Sequence, residues 1–285
     1  MKGEIIIDKE FITGKNKSSI RSLLLFLVLT TSIILLFFVF EVTGFTASAG
    51  EQDEDIQGEL LDSGKMIYIF DGKQLGNETY RLIRKETEDI LLVSEGIVTI
   101  PIPFIRPKIK YDQRIEVDND YRPLSFFLQY RGPLGIGNKK VTAKVTEDEI
   151  DIKDGKEEKS VNLDGDNYVF SGTSGSQAMF SYVLSRRENI SSFSEIRLGN
   201  SGPPSEDEDR VVRDLILNST DRTEMMIEGK NTPVTSYVFT LENGDQRREL
   251  ITENGNFILY SVEDEDNSFY VYREDKLGKD FKLEE

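Results

Sequence analysis

The chain has 285 residues, of which 52 are acidic and 35 basic, so its formal net charge is −17. It contains no histidine, cysteine or tryptophan, which excludes histidine-based catalytic triads, thiol nucleophiles, disulfides and thiolate metal sites. Because a strongly acidic surface repels phosphate backbones, we expect no nucleic-acid partner.

Residues 23–40 form an uncharged apolar run in this otherwise acidic chain. As a helix with a rise of about 1.5 Å per residue, the run covers roughly 27 Å, close to the hydrocarbon thickness of a bilayer. A helix also satisfies every backbone group inside lipid. We therefore predict one transmembrane helix, acting as a signal anchor, over residues 22–45.

Charges on either side of the apolar run predict its orientation. After the run, the first cation is Lys65, whereas five cations precede it: Lys2 and, closer to the run, Lys9, Lys15, Lys17 and Arg21. Cationic flanks tend to stay cytoplasmic. We expect a cytoplasmic N-terminal segment over residues 1–21 and a single-pass protein of the cell membrane whose C-terminal part lies outside the cytoplasm. Residues 50–285 carry 30 basic and 48 acidic residues, a net charge of −18.

A cleaved secretory signal is the alternative to the anchor. Residues 47–49, Ala-Ser-Ala, match the small-residue pattern at which such signals are cut. The apolar run argues for the anchor, since it is longer than a typical signal core and ends well before Ala47. Both interpretations export the same domain. Residues 46–64 are polar and acidic, which predicts a flexible linker ahead of a domain over residues 65–285.

The exported domain begins with a series of short runs rich in Ile, Val, Tyr, Phe and Thr, separated by Gly, Asn and Asp, which is typical of strands and turns. The predicted strands cover residues 66–70, 78–84, 89–100, 108–117, 121–131, 139–146, 149–153, 158–163 and 167–170. One helix follows, over residues 176–187, because Met179, Phe180, Val183 and Leu184 recur at helical spacing.

A second series of strands follows residues 199–209, whose composition is typical of a loop. These strands are predicted over residues 210–217, 223–228, 234–241, 247–252, 257–262 and 269–273. The triplets 242–244 and 253–255 both read Glu-Asn-Gly, and Asn-Gly supplies the positive φ angles that tight hairpins need. The fold class is therefore predicted as mainly β, with one curved antiparallel sheet that wraps the helix.

Four short stretches in this domain resemble bacterial periplasmic domains of the half-barrel type, in particular a domain of unknown function related in shape to the outer-membrane lipoprotein carriers. The stretches are Tyr68–Gly76 with Tyr80, Asp118–Leu124, Tyr182–Arg186 and Asn254–Phe257. The resemblance implies a curved sheet around a helix, with a concave apolar side that holds lipid chains in some relatives. It carries over no catalytic residue.

Carboxylates are the remaining acid–base resource of the chain. An Asp/Glu pair could support glycoside hydrolysis, although a sugar cleft usually also presents tryptophan. Acid clusters such as Asp118-Asn119-Asp120 lack the complete calcium loop and are typical of turns. We predict no catalytic residue, no metal and no cofactor.

We expect this domain to be non-catalytic and to bind a lipidic or protein partner in the cell envelope. The alternatives are a carboxylate-dependent glycoside hydrolase and a structural or adhesive surface domain. Seven apolar side chains are predicted to face a ligand on the inner side of the sheet: Ile67, Ile69, Phe104, Phe126, Leu128, Met179 and Val183.

Overall fold

The structure is a computed structural model that describes residues 56–100, 106–135, 138–146, 149–163, 167–187, 191–198, 211–241, 244–263, 268–279 and 281–283. The predicted segments 1–21 and 22–45 lie outside these residues, as do residues 46–55 of the predicted linker and Phe104. Within the described ranges, every helix is too short or too polar to cross a bilayer.

Fifteen strands make up most of the domain. The first eight are β1 (Glu59–Phe70), β2 (Lys73–Arg84), β3 (Ile90–Thr99), β4 (Lys108–Val117), β5 (Pro123–Arg131), β6 (Lys139–Thr146), β7 (Glu149–Asp154) and β8 (Glu157–Asn162). The other seven are β9 (Tyr168–Ser171), β10 (Ser192–Arg197), β11 (Val212–Ile227), β12 (Lys230–Leu241), β13 (Gln246–Thr252), β14 (Phe257–Glu263) and β15 (Ser268–Arg273). Helix α1 spans Ser176–Leu184, the short helix α2 spans Glu274–Leu277, and Pro133–Gly135 forms a 3₁₀ turn. The prediction of a mainly β domain is confirmed.

All fifteen strands belong to one open sheet, in the order β8-β7-β6-β5-β4-β3-β2-β1-β15-β14-β13-β12-β11-β10-β9. Two meanders meet where β1 pairs with β15. The sheet is curved, since β9 at one end contacts β5 of the other meander.

One pair of strands departs from the predicted antiparallel pattern, because β9 and β10 run parallel. Parallel neighbours need a crossover connection, and α1 lies in the chain between them. The single predicted helix is therefore the crossover of a β-α-β unit, which fixes its position against the sheet.

The strands in the middle of the sheet are covered on both faces. Residues 66–69 of β1 are all buried, as are residues 270–273 of β15. On one face, called the inner face here, they pack in a core cluster that includes α1. On the outer face they belong to a second cluster, against which Leu277, Phe281 and Leu283 pack. This double burial explains the continuous apolar run at residues 66–70, since strands covered on both faces do not alternate.

Several element bounds differ from those expected; for example, the helix predicted over residues 176–187 ends at Leu184, and β2 begins at Lys73. Three further differences concern β1, β11 and β10. β1 begins at Glu59, inside the predicted linker, and pairs from there with Arg84 of β2. The predicted strands 210–217 and 223–228 form one strand, β11, because the polar residues between them keep their pairing with β12. β10 was not predicted, since its six residues stand alone between segments rich in Gly, Ser and Asn.

Both Glu-Asn-Gly hairpins are confirmed. The first triplet lies between β12 and β13 and the second between β13 and β14, which pair as antiparallel neighbours. Gly244 and Gly255 have φ angles of 92° and 84°, a conformation that favours glycine.

Candidate functional site

Helix α1 occupies the inner face of the sheet. All nine of its residues are buried, and it contacts β2 and β3 of one meander and β9 and β14 of the other. Its apolar side chains contribute to the core cluster, in which Phe180 packs against Phe193 and Phe239 with ring centroids 5.1 and 5.6 Å apart. Two clusters of buried polar side chains also hold the helix.

The first polar cluster surrounds Glu78 of β2, which is fully buried. Tyr68 and Tyr111 both donate their hydroxyl groups to Oε2 of Glu78, the latter at 2.9 Å. Gly175 donates its backbone N–H to the same oxygen at 2.8 Å, and the Thr173 hydroxyl donates to Oε1 at 2.8 Å. Because an anion is favourable at a helix N-terminus, this carboxylate stabilises the start of α1.

The loop before α1 approaches this cluster closely. A side chain at Gly175 would place its Cβ 2.3 Å from Oε1 of Glu78 and 2.7 Å from the hydroxyl of Ser94, so these buried side chains would have to move from their positions. The next polar side chain, Gln113 of β4, accepts the backbone N–H of Thr173 at 2.7 Å. Residues of β2 and β4 therefore fix the path of the chain into the helix.

The two tyrosines of the Glu78 cluster stay protonated in the folded chain. Burial, reinforced by the charge of Glu78, raises the pKa of Tyr68 and of Tyr111 well above 10. Each hydroxyl therefore acts as a hydrogen-bond donor to the carboxylate.

The second polar cluster is centred on Arg247 of β13, which is 1% exposed. Its guanidinium donates to Glu195 at 2.9 Å and to Gln177 of α1 at 2.5 Å, and it lies 3.7 Å from Glu249. The guanidinium also lies over the rings of Phe180 and Tyr260, 4.6 and 4.9 Å from their centroids. Ser181 of α1 completes the cluster by donating its hydroxyl to Glu249 at 2.8 Å.

The two glutamates of this Arg247 cluster differ in protonation. Burial alone would raise the pKa of Glu195, but the charges of Arg247 and Arg213 outweigh it and lower that pKa to about 2. Burial raises the pKa of Glu249 to about 7, against the smaller lowering effects of Arg247 and Ser181. Glu195 is thus the permanent counter-ion of the two arginines, and Glu249 takes up a proton near neutral pH.

A polar groove of about 510 Å³ opens at the C-terminal end of α1. The guanidinium of Arg186 stacks on the ring of Tyr182, 3.4 Å from its centroid, and donates to the backbone carbonyl of Asn254 at 3.4 Å. The side chains around the groove are Leu61, Tyr182, Ser185, Arg186, Glu253, Asn254 and Asn256. Two stretches that carried the sequence resemblance, 182–186 and 254–257, therefore meet at this groove.

The seven predicted ligand-facing side chains fall into separate places. Four are buried together on the inner face: Phe126, Leu128, Met179 and Val183. Ile67 and Ile69 belong to the outer-face cluster instead, since their side chains alternate with those of Met66 and Tyr68 along β1. Phe104 is outside the described residues. The six described side chains are at most 8% exposed.

The buried charges were missed by the sequence reasoning, although a signal for them exists. Arg247, Glu249 and Ile251 alternate with more exposed residues along β13, so the two charges share the face of an apolar core residue. The same is true of Glu78, which lies two residues before Tyr80 in β2. A charged residue in the inward phase of a strand therefore indicates a buried polar cluster.

Comparisons with known proteins identify no family. No family model matches the chain, and no curated protein matches it. Among solved structures, it is similar to a β-barrel-like protein of the domain of unknown function DUF1849 from Brucella abortus, with a TM-score of 0.49 and 12% identity over 74% of this chain and 94% of that one. A DUF1089 family protein from Pseudomonas aeruginosa gives a TM-score of 0.41 and 11% identity over 65% and 89%. At these values, the two structures carry no information on what this chain binds.

Proposed function

We propose that this chain is a membrane-anchored, non-catalytic domain that lies outside the cytoplasm and binds a protein partner of the cell envelope. The apolar run at residues 23–40 and the cations before it support the anchor and its orientation. The occupation of the inner face by α1 is the observation that favours a protein partner over a lipid.

The buried apolar side chains of the inner face already pack together with those of α1. A lipid there would have to displace α1, and with it the bonds from Gln177 and Ser181 to the Arg247 cluster. Displacement would also remove Thr173 and Gly175 from Glu78. Leaving buried charges without their partners is costly, so the lipid-carrier arrangement receives little support from this geometry.

The groove beside Arg186 suits a polar occupant. Its walls combine a cation, an anion, two amides and a hydroxyl with the aliphatic Leu61 and the ring of Tyr182. This mixture offers hydrogen-bond donors and acceptors for the backbone and side chains of a peptide segment. An acyl chain would displace water from these polar groups and would form no hydrogen bonds in its place. We place the partner's binding site here.

Glycoside hydrolysis is less well supported by the same geometry. Glu195 and Glu249 have pKa values that burial and charge move apart, as acid–base pairs do. Both side chains are buried to 2% exposure or less, however, and neither lines the groove. A sugar ring could not reach them without removal of the helix.

The experiment places a photoreactive amino acid at Glu253, on the rim of the groove, in the full-length chain in its native cells. We expect a discrete adduct with one protein after illumination. The matched control carries the same group at Lys159, which is also exposed but lies in β8. Identical adducts at both positions would contradict the proposed site.

Mass spectrometry of the full chain, purified from its native cells, tests the lipid alternative. We expect no stoichiometric lipid after mild extraction. One lipid per chain, retained through purification, would overturn the choice of a protein partner.

Protection of the domain from external protease in cells with opened outer barriers would overturn the proposed location.

A further inference from the structure

The hairpin of β11 and β12 has an unpaired edge. β10 pairs with β11 only over Val212–Ile216, whereas β12 follows β11 as far as Ile227. In the part of the chain that the structure describes, no strand pairs with the other side of residues 219–227, which we call the β11 edge. Residues 218–224 are all exposed. Such an edge is a template for pairing with another strand.

The other two edges of the sheet are protected. β8 is only six residues long and carries charges at Glu157, Glu158 and Lys159, and a short edge strand with charged side chains, lysine above all, discourages pairing. β9 is buried along its whole length. The β11 edge also carries charges, at Asp221, Arg222 and Glu224, but it is longer than β8, has neither lysine nor proline, and is exposed where β9 is buried.

The turn of the hairpin determines which backbone groups point outward. Glu228 and Gly229 have φ angles of 52° and 75°, as in a two-residue type I′ turn, so Ile227 and Lys230 form a hydrogen-bonded pair and the pairs then alternate. Glu224 and Pro233 therefore form a non-hydrogen-bonded pair, which agrees with the missing N–H of proline. It follows that the N–H and C=O groups of Glu224, and of Arg222 two residues away, point to the free side.

Charge distinguishes the three registers in which the middle of this edge can pair with itself, centred at Arg222, Thr223 or Glu224. In an antiparallel pair related by a two-fold axis, one residue lies opposite its own copy. A centre at Arg222 or at Glu224 would oppose like charges. A centre at Thr223 instead places Arg222 opposite Glu224 of the partner, twice, and opposite charges on facing residues are stabilising.

We propose that the β11 edge binds the β11 edge of a second copy of this chain, antiparallel and centred on Thr223. Arg222 and Glu224 then exchange backbone hydrogen bonds across the axis as well as opposite charges. Met226, which is 59% exposed, lies opposite Thr220 of the partner and becomes covered. The two sheets join into one that is continuous through the interface.

Local charge permits this contact despite the acidity of the chain. Residues 212–241 contain three basic and four acidic side chains, a net charge of 3 − 4 = −1. The remaining negative charge lies elsewhere, and its repulsion at a distance is screened at physiological salt, where the Debye length is about 8 Å.

A single cysteine in the full-length chain tests the register, since the chain has no cysteine of its own. At Thr223, the two facing Cα atoms would lie about 4.5 Å apart, within the range for a disulfide. We expect Thr223→Cys to give covalent dimers under mild oxidation on a non-reducing gel. In the control Thr220→Cys, position 220 lies opposite position 226 of the partner, so the two cysteines are about 20 Å apart along the paired strands. Little covalent dimer should form.

Exchange of the charges provides the second measurement. On the Thr223→Cys background, Arg222→Glu should lower the dimer yield severalfold, because two glutamates then face each other. Adding Glu224→Arg to Arg222→Glu should restore the dimer yield, because opposite charges then face each other again, with the acidic and basic positions exchanged. Equal yields for the cysteines at 220 and 223, no restoration by the double exchange, or capture of a different protein by the cysteine at 223 would each overturn the proposal.

Discussion

Two polar clusters hold α1 against the sheet, and each compensates its buried charge with different chemical groups. Around Glu78, a buried carboxylate receives hydrogen bonds from neutral donors, namely two tyrosines, a threonine and a backbone N–H. Around Arg247, a buried guanidinium is balanced by full charges on Glu195 and by the titrating Glu249.

This difference predicts which of the two clusters is more sensitive to substitution. Neutral donors keep part of their hydrogen bonding when the group they face becomes neutral, because hydroxyl groups can reorient and accept. A buried ion whose counter-ion is removed has no such adjustment. The Arg247 cluster should therefore respond to single substitutions more strongly than the Glu78 cluster.

Replacement of Arg247 should have the largest effect. Arg247→Met fills a similar volume but leaves Glu195 with Arg213 alone, and we expect the free energy of unfolding to fall by about 3–5 kcal/mol. Urea denaturation followed by circular dichroism measures this change. The control is Arg248→Met, at the exposed neighbour in β13, which should change the value little. Recovery of stability in the double variant Arg247→Met with Glu195→Gln would show that the unpaired charge of Glu195 causes the loss. Similar losses for Arg247→Met and Arg248→Met would show that burial of the charge does not set the sensitivity.

The pH dependence of stability should be smaller but still clear. Glu249 has a pKa of about 7 in the folded chain against the usual 4.5, so stabilisation present below pH 4.5 is lost as the pH rises to 7, by about 3 kcal/mol. Glu195, with a pKa of about 2, acts in the opposite direction, and its stabilisation is lost as the pH falls from 4.5 to 2.

These two groups together predict a contribution to stability that is greatest near pH 4.5. Urea denaturation between pH 4 and 8 measures the falling side, and Glu249→Gln should flatten it. Parallel pH profiles for the parent chain and this variant would show that Glu249 is not the titrating group.

Neutralising Glu78 should have the smallest effect of the three. Glu78→Gln keeps an acceptor oxygen for Thr173 and loses charge-assisted hydrogen bonds, which we expect to cost about 1–3 kcal/mol. Glu95→Gln, at an exposed position of β3, is the control. A loss for Glu78→Gln as large as that for Arg247→Met would mean that both clusters depend on charge alike.

Local patterns predicted the elements of this fold better than their arrangement. Apolar runs such as 66–70 and the Asn-Gly turns identified strands and hairpins, because these signals arise within a few residues. Local patterns do not predict the pairing of β1 with β15 or the parallel pairing of β10 with β9, since these pairings depend on tertiary contacts that local patterns do not contain. Polar residues 219–222 concealed the length of β11, because an exposed hairpin needs no apolar alternation.

The candidate site was predicted only in part. The burial of Phe126, Leu128, Met179 and Val183 with the helix follows from their apolar character. The separation of Ile67 and Ile69 from them follows from strand parity, but a continuous apolar run such as 66–70 does not show which side chains face the helix. The groove at Arg186 combines residues from three distant segments, so its existence is a tertiary property.

The pairing of Met66 in β1 with Arg273 in β15 has a consequence for biosynthesis. The ribosome synthesises β1 long before β15. Until β15 is made, one side of β1 has unpaired backbone N–H and C=O groups that are open to other chains in the crowded surroundings. Hairpins can form while translation proceeds, but closure of the junction awaits the last part of the polypeptide. Maturation should therefore be slow, and nascent or prematurely terminated chains should be the species that most need chaperones.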